Sequence, residues 1–293
     1  MKIIITGSES FIGKEIIRQC KDKEIEIIGI DVIEKENSEF EYHKINITEQ
    51  EIINVIPENV DVIIHLAALS RDPDCKGKAF KCFQNNVMGT LNLMNCAKEK
   101  NVKQFIFASS EWVYDQFEEN QSKNEEAPIN ALSLTSEYAL SKLTSEINLK
   151  QEYQNGFCDV SILRFGIIYG PRKNNWSAVE SICSQVKNKT EIEVGSLKNG
   201  RRFIHVSDIV KGIMKSIGLK GCNTINLAGD KIVTIDDLIK VGEKFYDKKI
   251  KIIEKNTNEK NIRNPSNKKA KTLLNWNPEI SLEEGLKTID KFL

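Results

Sequence analysis

The sequence predicts an α/β fold, a doubly wound parallel sheet followed by a smaller C-terminal α/β lobe. Two observations predict it. Through the first half, short β-branched apolar runs alternate with longer segments of helical period, and several runs are nearly continuous Val/Ile, as in strands buried on both faces of a parallel sheet. From about Gly166 this alternation gives way to scattered helices with short strands. A βαβα order places ligands just past the carboxyl ends of the strands, so the chemistry is expected there.

The strands are expected at Ile3–Thr6, Ile25–Asp31, Tyr42–Ile47, Asp61–Leu66, Phe105–Ser109 and Val160–Arg164. Helices are expected at Ile12–Lys21, Lys78–Glu99 and Ser136–Glu152, where Ala139, Leu143 and Ile147 mark a buried face of the last. The polar stretch Asp115–Thr135 reads as a loop bordering the site or as a plain surface insertion. In the second half, helices are expected at Asp208–Ile217 and Ile235–Phe245, and a final one opens at the capping box Ser281-Leu282-Glu283-Glu284. A domain boundary is placed between residues 165 and 166, with some later segments returning to the first domain.

Composition narrows the function classes. The 293 residues carry 42 Lys+Arg against 42 Asp+Glu. Without a basic stripe, nucleic acid is not the expected partner. No run approaches the roughly 18 apolar residues of a membrane span, and the sequence enters a strand directly, so a soluble, cytoplasmic protein is expected. The 7 cysteines are scattered and never in C-x-x-C spacing, which fits reduced thiols. With three isolated histidines, no metal centre is expected.

Lys2 to Gly13 reads K-I-I-I-T-G-S-E-S-F-I-G: a strand, a glycine turn and a helix start. Gly7 permits the tight turn, Gly13 lets the helix pack against the sheet, and the helix N-terminus offers N–H groups to a pyrophosphate. Ser10 stands where the usual trio has a glycine; its Cβ crowds the backbone's approach to phosphate while its hydroxyl can donate in return. Asp31 closes the second strand, where a carboxylate accepts from both ribose hydroxyls of adenosine and repels a 2′-phosphate, favouring NAD over NADP. Together these read as a Rossmann-type dinucleotide site, the alternatives being an ordinary βα turn and a solvent-facing Asp at a strand end.

Tyr138 and Lys142 stand four apart and share a helix face. A phenol with a pKa near 10 is a poor base at neutral pH, and a neighbouring ammonium together with a cationic nicotinamide favours the phenolate. Ser110, at the end of the preceding strand, is placed to hydrogen-bond the same substrate oxygen as hydride leaves.

These residues resemble the extended short-chain dehydrogenase/reductases, in particular the NAD-dependent epimerase/dehydratase family acting on nucleotide sugars. The resemblance covers essentially the whole chain. It rests on Thr6 to Gly13, His65-Leu66-Ala67-Ala68, Asn86-Val87-Met88-Gly89-Thr90, Ser109-Ser110-Glu111-Trp112-Val113-Tyr114 and Tyr138 with Lys142. It continues through Leu163-Arg164, Tyr169-Gly170-Pro171-Arg172, Arg201 to Val206, and Leu274-Asn275-Trp276-Asn277-Pro278.

The resemblance implies NAD as cofactor, lined by Gly7, Ser10, Phe11, Ile12, Gly13, Asp31, Asn46 and Ile47. Leu66, Ala67 and Ala68 pass beneath it, and Asn86, Ala108, Tyr138 and Lys142 lie toward the nicotinamide. It implies Tyr138 as acid/base, Lys142 as its partner and ribose anchor, and Ser110 as third member. It also implies Ser70, Ser110, Arg201 and Arg263 on a nucleotide-diphosphate sugar, the arginines because a planar fork binds phosphate oxygens two at a time. Residues 1–165 are then the NAD-binding domain and 166–293 the nucleotide-sugar lobe, and the long helices are those through which the family forms homodimers.

Some positions depart from the family pattern: Ser10, Asn46 for an Asp near adenine, Ile167 for an Asn on the substrate, and Asp115 for the Gly after Val-Tyr. A 4,6-dehydratase needs an acidic pair before Val-Tyr, and here the pair reads Glu111-Trp112. A sugar 4-epimerase with retained NAD is therefore expected. A ketosugar 4-reductase with exchangeable NAD(P)H is the alternative, followed by a dehydratase and a non-catalytic dinucleotide sensor.

Overall fold

Isoleucine-rich runs become strands where core lies on both of their faces. β1 (Lys2–Thr6), β2 (Glu26–Asp31), β3 (Glu41–Lys44), β4 (Val62–His65), β5 (Gln104–Ser110) and β6 (Asp159–Phe165) belong to one seven-stranded sheet. Its order is Cys222–Leu227, β6, β5, β4, β1, β2, β3. These elements come from a computed structural model that describes residues 1–114, 116–118, 121–174 and 176–293; the departure at Asp115 lies outside the described residues. The ladders of β1 with β2 and β4, of β2 with β3 and of β4 with β5 are all parallel. Ile3, Ile4, Ile5, Ile28, Ile30, Ile63 and Phe105 are fully buried between them.

Strand order reverses between β1 and β4, which makes the crevice at their carboxyl ends the natural ligand site. Gly7 leaves β1 at that point and Leu66 leaves β4.

The helices of this region are α1 (Phe11–Cys20), α2 (Asp72–Cys75), α3 (Ala79–Phe83), α4 (Gly89–Glu99) and α5 (Glu137–Gln154). The single helix expected over Lys78–Glu99 is interrupted by a π-helical turn, Gln84–Met88. There the Asn86 carbonyl takes the hydroxyls of Thr90 and Ser145, and its side chain is held by the Leu69 backbone. In α5, Ala139 and Leu143 are buried as expected but Ile147 is 48% exposed; Tyr138, Lys142 and Glu146 are buried as well, a polar line that hydropathy alone does not mark. Strand β3 ends at Lys44, before the expected Ile47, because the Asn46 side chain captures the N–H and hydroxyl of Thr48 and turns the chain. The edge strand Cys222–Leu227 has no counterpart among the expected elements.

By internal contacts the chain forms two units: the described residues of 1–115, 128–164 and 213–225, and those of 116–127, 165–212 and 226–293. The second unit has its own apolar core of Val179, Ile182, Val186, Leu238, Ile239, Leu286 and Ile289. Three of its helices, Ala178–Asn188, Ile235–Phe245 and Leu282–Ile289, open with capping boxes, Ser177 with Glu180, Thr234 with Asp237 and Ser281 with Glu284. The helix expected from Asp208 runs over Val206–Lys215. Among the described residues no helix is long and apolar enough to cross a membrane.

Candidate cofactor and catalytic site

The turn after β1 is built without room for side chains. Gly7 has φ +73°, and a Cβ there would lie 2.9 Å from the Ala67 nitrogen; a Cβ on Gly13 would lie 2.4 Å from the Gly7 carbonyl oxygen. Strand end, loop and helix start are therefore in direct backbone contact. Ser10 is the N-cap of α1, its Oγ accepting from the Gly13 N–H at 3.1 Å. The hydroxyl spends a lone pair on the helix and keeps its proton for an outside acceptor. Phe11 and Ile12 form the first turn, which holds no acidic residue, so the positive helix end faces the crevice uncompensated by a carboxylate of that turn.

At the end of β2, Asp31 accepts from the Glu9 N–H at 2.9 Å and the Val32 N–H at 2.8 Å, which fixes its carboxylate beside the glycine loop. Burial pushes the Glu9 carboxyl up, but Lys35 at 2.8 Å and Lys14 at 3.3 Å more than offset this and hold it below the usual range. Asn46 is committed to Thr48, and Ile47 is buried where a Cβ on Gly89 would collide with it.

A buried polar chain runs under the crevice. Thr6 Oγ1 lies 2.7 Å from His65 Nδ1, and His65 Nε2 lies 2.9 Å from Thr90 Oγ1. Because the Thr90 hydroxyl donates its proton to the Asn86 carbonyl, it accepts from His65, which assigns the proton to Nε2. Burial, with a smaller push from the Lys142 charge, lowers the His65 pKa to about 3 and keeps the ring neutral. Leu66, Ala67 and Ala68 follow directly, with the Ala67 N–H donating to Thr6 Oγ1 at 3.4 Å. Asn86, expected near the nicotinamide, spends its amide on the Leu69 N–H at 2.8 Å, the Leu69 carbonyl at 3.1 Å and Ser141 Oγ at 3.0 Å. It shapes the floor through Leu69, and the next residue, Ser70, is exposed.

Tyr138, Lys142 and Ser110 come together in the same unit. Ser136 caps α5 and thereby starts the helix that sets Tyr138 and Lys142 one turn apart. Both side chains are buried. Burial pushes the phenol up to about 12, and the neighbouring Ser110 hydroxyl partly counters this. The Ser110 Oγ also accepts the Trp112 N–H at 3.2 Å. Burial pulls the Lys142 ammonium down to about 8; it donates to the Ala108 carbonyl at 2.8 Å and sits 4.7 Å from the centre of the Phe107 ring. Two buried thiols, Cys75 and Cys82, and the partly buried Leu69 and Trp112 pack with Tyr138.

Arg201 and Arg263 belong to the second unit. Gly200 bridges to Ile262 and accepts the Arg263 N–H, which brings the two arginines onto neighbouring backbone segments. Arg201 donates from Nη1 to the carbonyls of Gly200 at 2.7 Å and Asn261 at 2.6 Å, and the Arg263 guanidinium stands 5.9 Å from the Phe117 ring.

Residues 3–228 match the family model described as NAD dependent epimerase/dehydratase family. The chain belongs to that family. A curated UDP-glucose epimerase of Bacillus subtilis (strain 168), itself uncharacterised, is 30% identical over 98% of this chain and 96% of its own length. UDP-glucuronic acid decarboxylase 1 of Arabidopsis thaliana is 30% identical over 98% of this chain and 68% of its own. Among solved structures, UDP-glucuronic acid 4-epimerase from Bacillus cereus aligns over 100% of this chain and 98% of its own, with a TM-score of 0.86 and 25% identity.

For this NAD-dependent family member, the side-chain-free contact of Gly7 and Gly13 and the helix end behind Ser10 fit a pyrophosphate, and the oriented Asp31 fits an adenosine ribose. Two buried residues of the site, Glu146 and Ser141, have no place among the sequence motifs, and Thr6, Thr90 and Arg164 stand in them without a role. Glu146 repeats the four-residue spacing of Tyr138 and Lys142, and that spacing was the available signal.

Proposed function

We propose that this chain is a nucleotide-sugar 4-epimerase acting on a UDP-hexose or UDP-hexuronate, with NAD held through the cycle. The observation that carries this reading is the Tyr138 phenol set against the Ser110 hydroxyl with the Trp112 indole packed beside it, where a 4,6-dehydratase would place an acid. In this reading Ser110 holds the sugar 4-hydroxyl and Tyr138 takes its proton; bound NAD supplies the hydride acceptor. After the 4-ketosugar has turned its other face, the hydride goes back to C4 and Tyr138 returns the proton to the oxygen, so no net redox change occurs. Lys142 anchors the ribose and carries positive charge next to the phenolate. Gly7, Phe11, Ile12, Gly13 and Asp31 line the cofactor. Arg201 and Arg263, on the second unit, bind the diphosphate, and Ser70 reaches the sugar.

Ser10 favours one second reading, a ketosugar reductase with exchangeable cofactor, because its Cβ stands where the family's glycine lets the pyrophosphate approach. We further assign a homodimer, supported by the exposed apolar side chains Phe80, Met88, Leu140 and Ile147 on or beside α3 to α5. A cytoplasmic location is supported by the free state of all seven cysteines.

Mass spectrometry of nucleotides released on denaturing the purified protein tests the reading. Near-stoichiometric NAD or NADH is expected; NADP or no dinucleotide would move the assignment to the reductase.

A further inference from the structure

Three side chains of α5 point inward at successive turns: Tyr138, Lys142 and Glu146. Each meets β5. The Tyr138 phenol stands by the Ser110 hydroxyl, Lys142 donates to the Ala108 carbonyl, and the Ser109 hydroxyl donates to Glu146 Oε1 at 2.5 Å. Glu146 is in turn gripped by Arg164 of β6, from Nε to Oε1 at 3.0 Å and from Nη2 to Oε2 at 2.6 Å. The pair is all but inaccessible, with side chains 1% and 2% exposed. Burial alone would lower the Arg164 pKa; the bonds to Glu146 reverse this and hold it above its ordinary value. The guanidinium also lies 4.8 Å from the Tyr114 ring.

A buried ion pair is a poor stability device, because desolvating both charges offsets most of their attraction, and well-packed apolar residues often do as well. This pair has a specific location that stability does not require: it sits one turn beyond Lys142 and against the strand that delivers Ser110.

We propose that Glu146, oriented by Arg164 and Ser109, is a positioning residue of the acid/base machinery, which holds Ser110 in register with Tyr138 and keeps a negative charge one helical turn from the Lys142 ammonium. The groups facing Lys142 are few. Tyr138 and Glu146 lie on its own helix, the Phe107 ring and Ala108 carbonyl on β5, neutral His65 on β4, and the Cys82 and Cys75 thiols on α3 and α2. Burial is what lowers Lys142; Cys82 and Cys75 and, after them, Glu146 work against it. Glu146→Gln removes that support and leaves the Arg164 charge unopposed; Arg164→Met leaves the Glu146 charge unopposed. The two substitutions act on Lys142 with opposite sign.

The inference rests on the epimerase reading only for what Lys142 assists, and its test needs no substrate. Lysine side chains labelled with carbon-13 at Cε are titrated by NMR in the whole protein, with the Lys142 resonance assigned by its loss in Lys142→Met. Relative to an unsubstituted midpoint near 8, Glu146→Gln is expected to move it down, and Arg164→Met to move it up. If a single variant does not fold, the double variant Glu146→Gln with Arg164→Met and the milder Ser109→Ala are read instead. The double variant is expected to move the midpoint down by less than Glu146→Gln. Ser109→Ala is expected to weaken the register, seen as a reduced kcat at unchanged KM. Unmoved midpoints in folded variants that have merely lost thermal stability would overturn the proposal and leave the pair a structural one.

Discussion

The ammonium of Lys142 lies 2.8 Å from the carbonyl oxygen of Ala108, two residues before Ser110 on the same strand. One lysine thus ties the helix that carries Tyr138 to the strand that carries Ser110. It does so while almost wholly desolvated, at a cost to its own ionisation.

That cost has a pH signature. In the folded protein Lys142 titrates near 8, whereas an unfolded lysine titrates near 10.4. Below pH 8 the folded state bears the full penalty of the buried charge; between about 8 and 10.4 the unfolded chain binds more protons, so stability rises with pH through that window. Lys142→Met is expected to stabilise the protein by about 1–3 kcal/mol at pH 7.5 and by less at pH 10. Urea midpoints of both proteins at the two pH values check this.

His65 acts at the opposite end of the scale. Its folded pKa is about 3, against about 6.5 unfolded. The neutral ring is therefore favoured, and stability falls as pH drops from about 6.5 toward 3 because the unfolded chain takes up the proton first. A His65→Asn variant is expected to start less stable, having lost its bonds to Thr6 and Thr90, but to show a shallower decline between pH 6.5 and 5, measured by urea unfolding at each pH.

Tyr138→Phe removes one hydroxyl from a packed site and leaves the ring in place. Turnover is expected to drop by roughly 10²–10⁴-fold with cofactor binding and melting temperature nearly unchanged, since the lost contribution is proton transfer. Steady-state kinetics beside NAD titration checks it.

Gly13→Ala would put a methyl group 2.4 Å from the Gly7 carbonyl oxygen, a backbone atom that cannot move alone. A loss of about 1–3 kcal/mol is expected, together with weakened NAD binding, because the same glycine sets α1 against the crevice. Differential scanning calorimetry and NAD titration read the two effects.

Much of this architecture was legible in the residues. Continuous Val/Ile runs gave β1, β2 and β4, the Gly7 to Gly13 spacing gave the turn, and the capping box gave the last helix. A side chain whose partner is distant in sequence is not legible in this way. Asn86 reads as a polar residue in a helix, and only the fold shows its amide spent on Leu69, 17 residues earlier. Glu146 carries no motif and Arg164 marks only the end of a strand, and their pairing exists only once two strands and a helix bury them together. Ile147 carries the apolar period and yet faces out, because hydropathy does not say which face of a helix the rest of the fold covers. The edge strand Cys222–Leu227 has no clear signal because two asparagines break its apolar run.

The most direct test of the epimerase account is proton NMR of UDP-glucuronate and UDP-glucose incubated separately with the purified protein. The account predicts the C4 epimer of at least one, approached from either direction, with no net NADH and no loss of carbon. A pentose product with release of carbon dioxide, or a 4-keto-6-deoxy sugar, would contradict it.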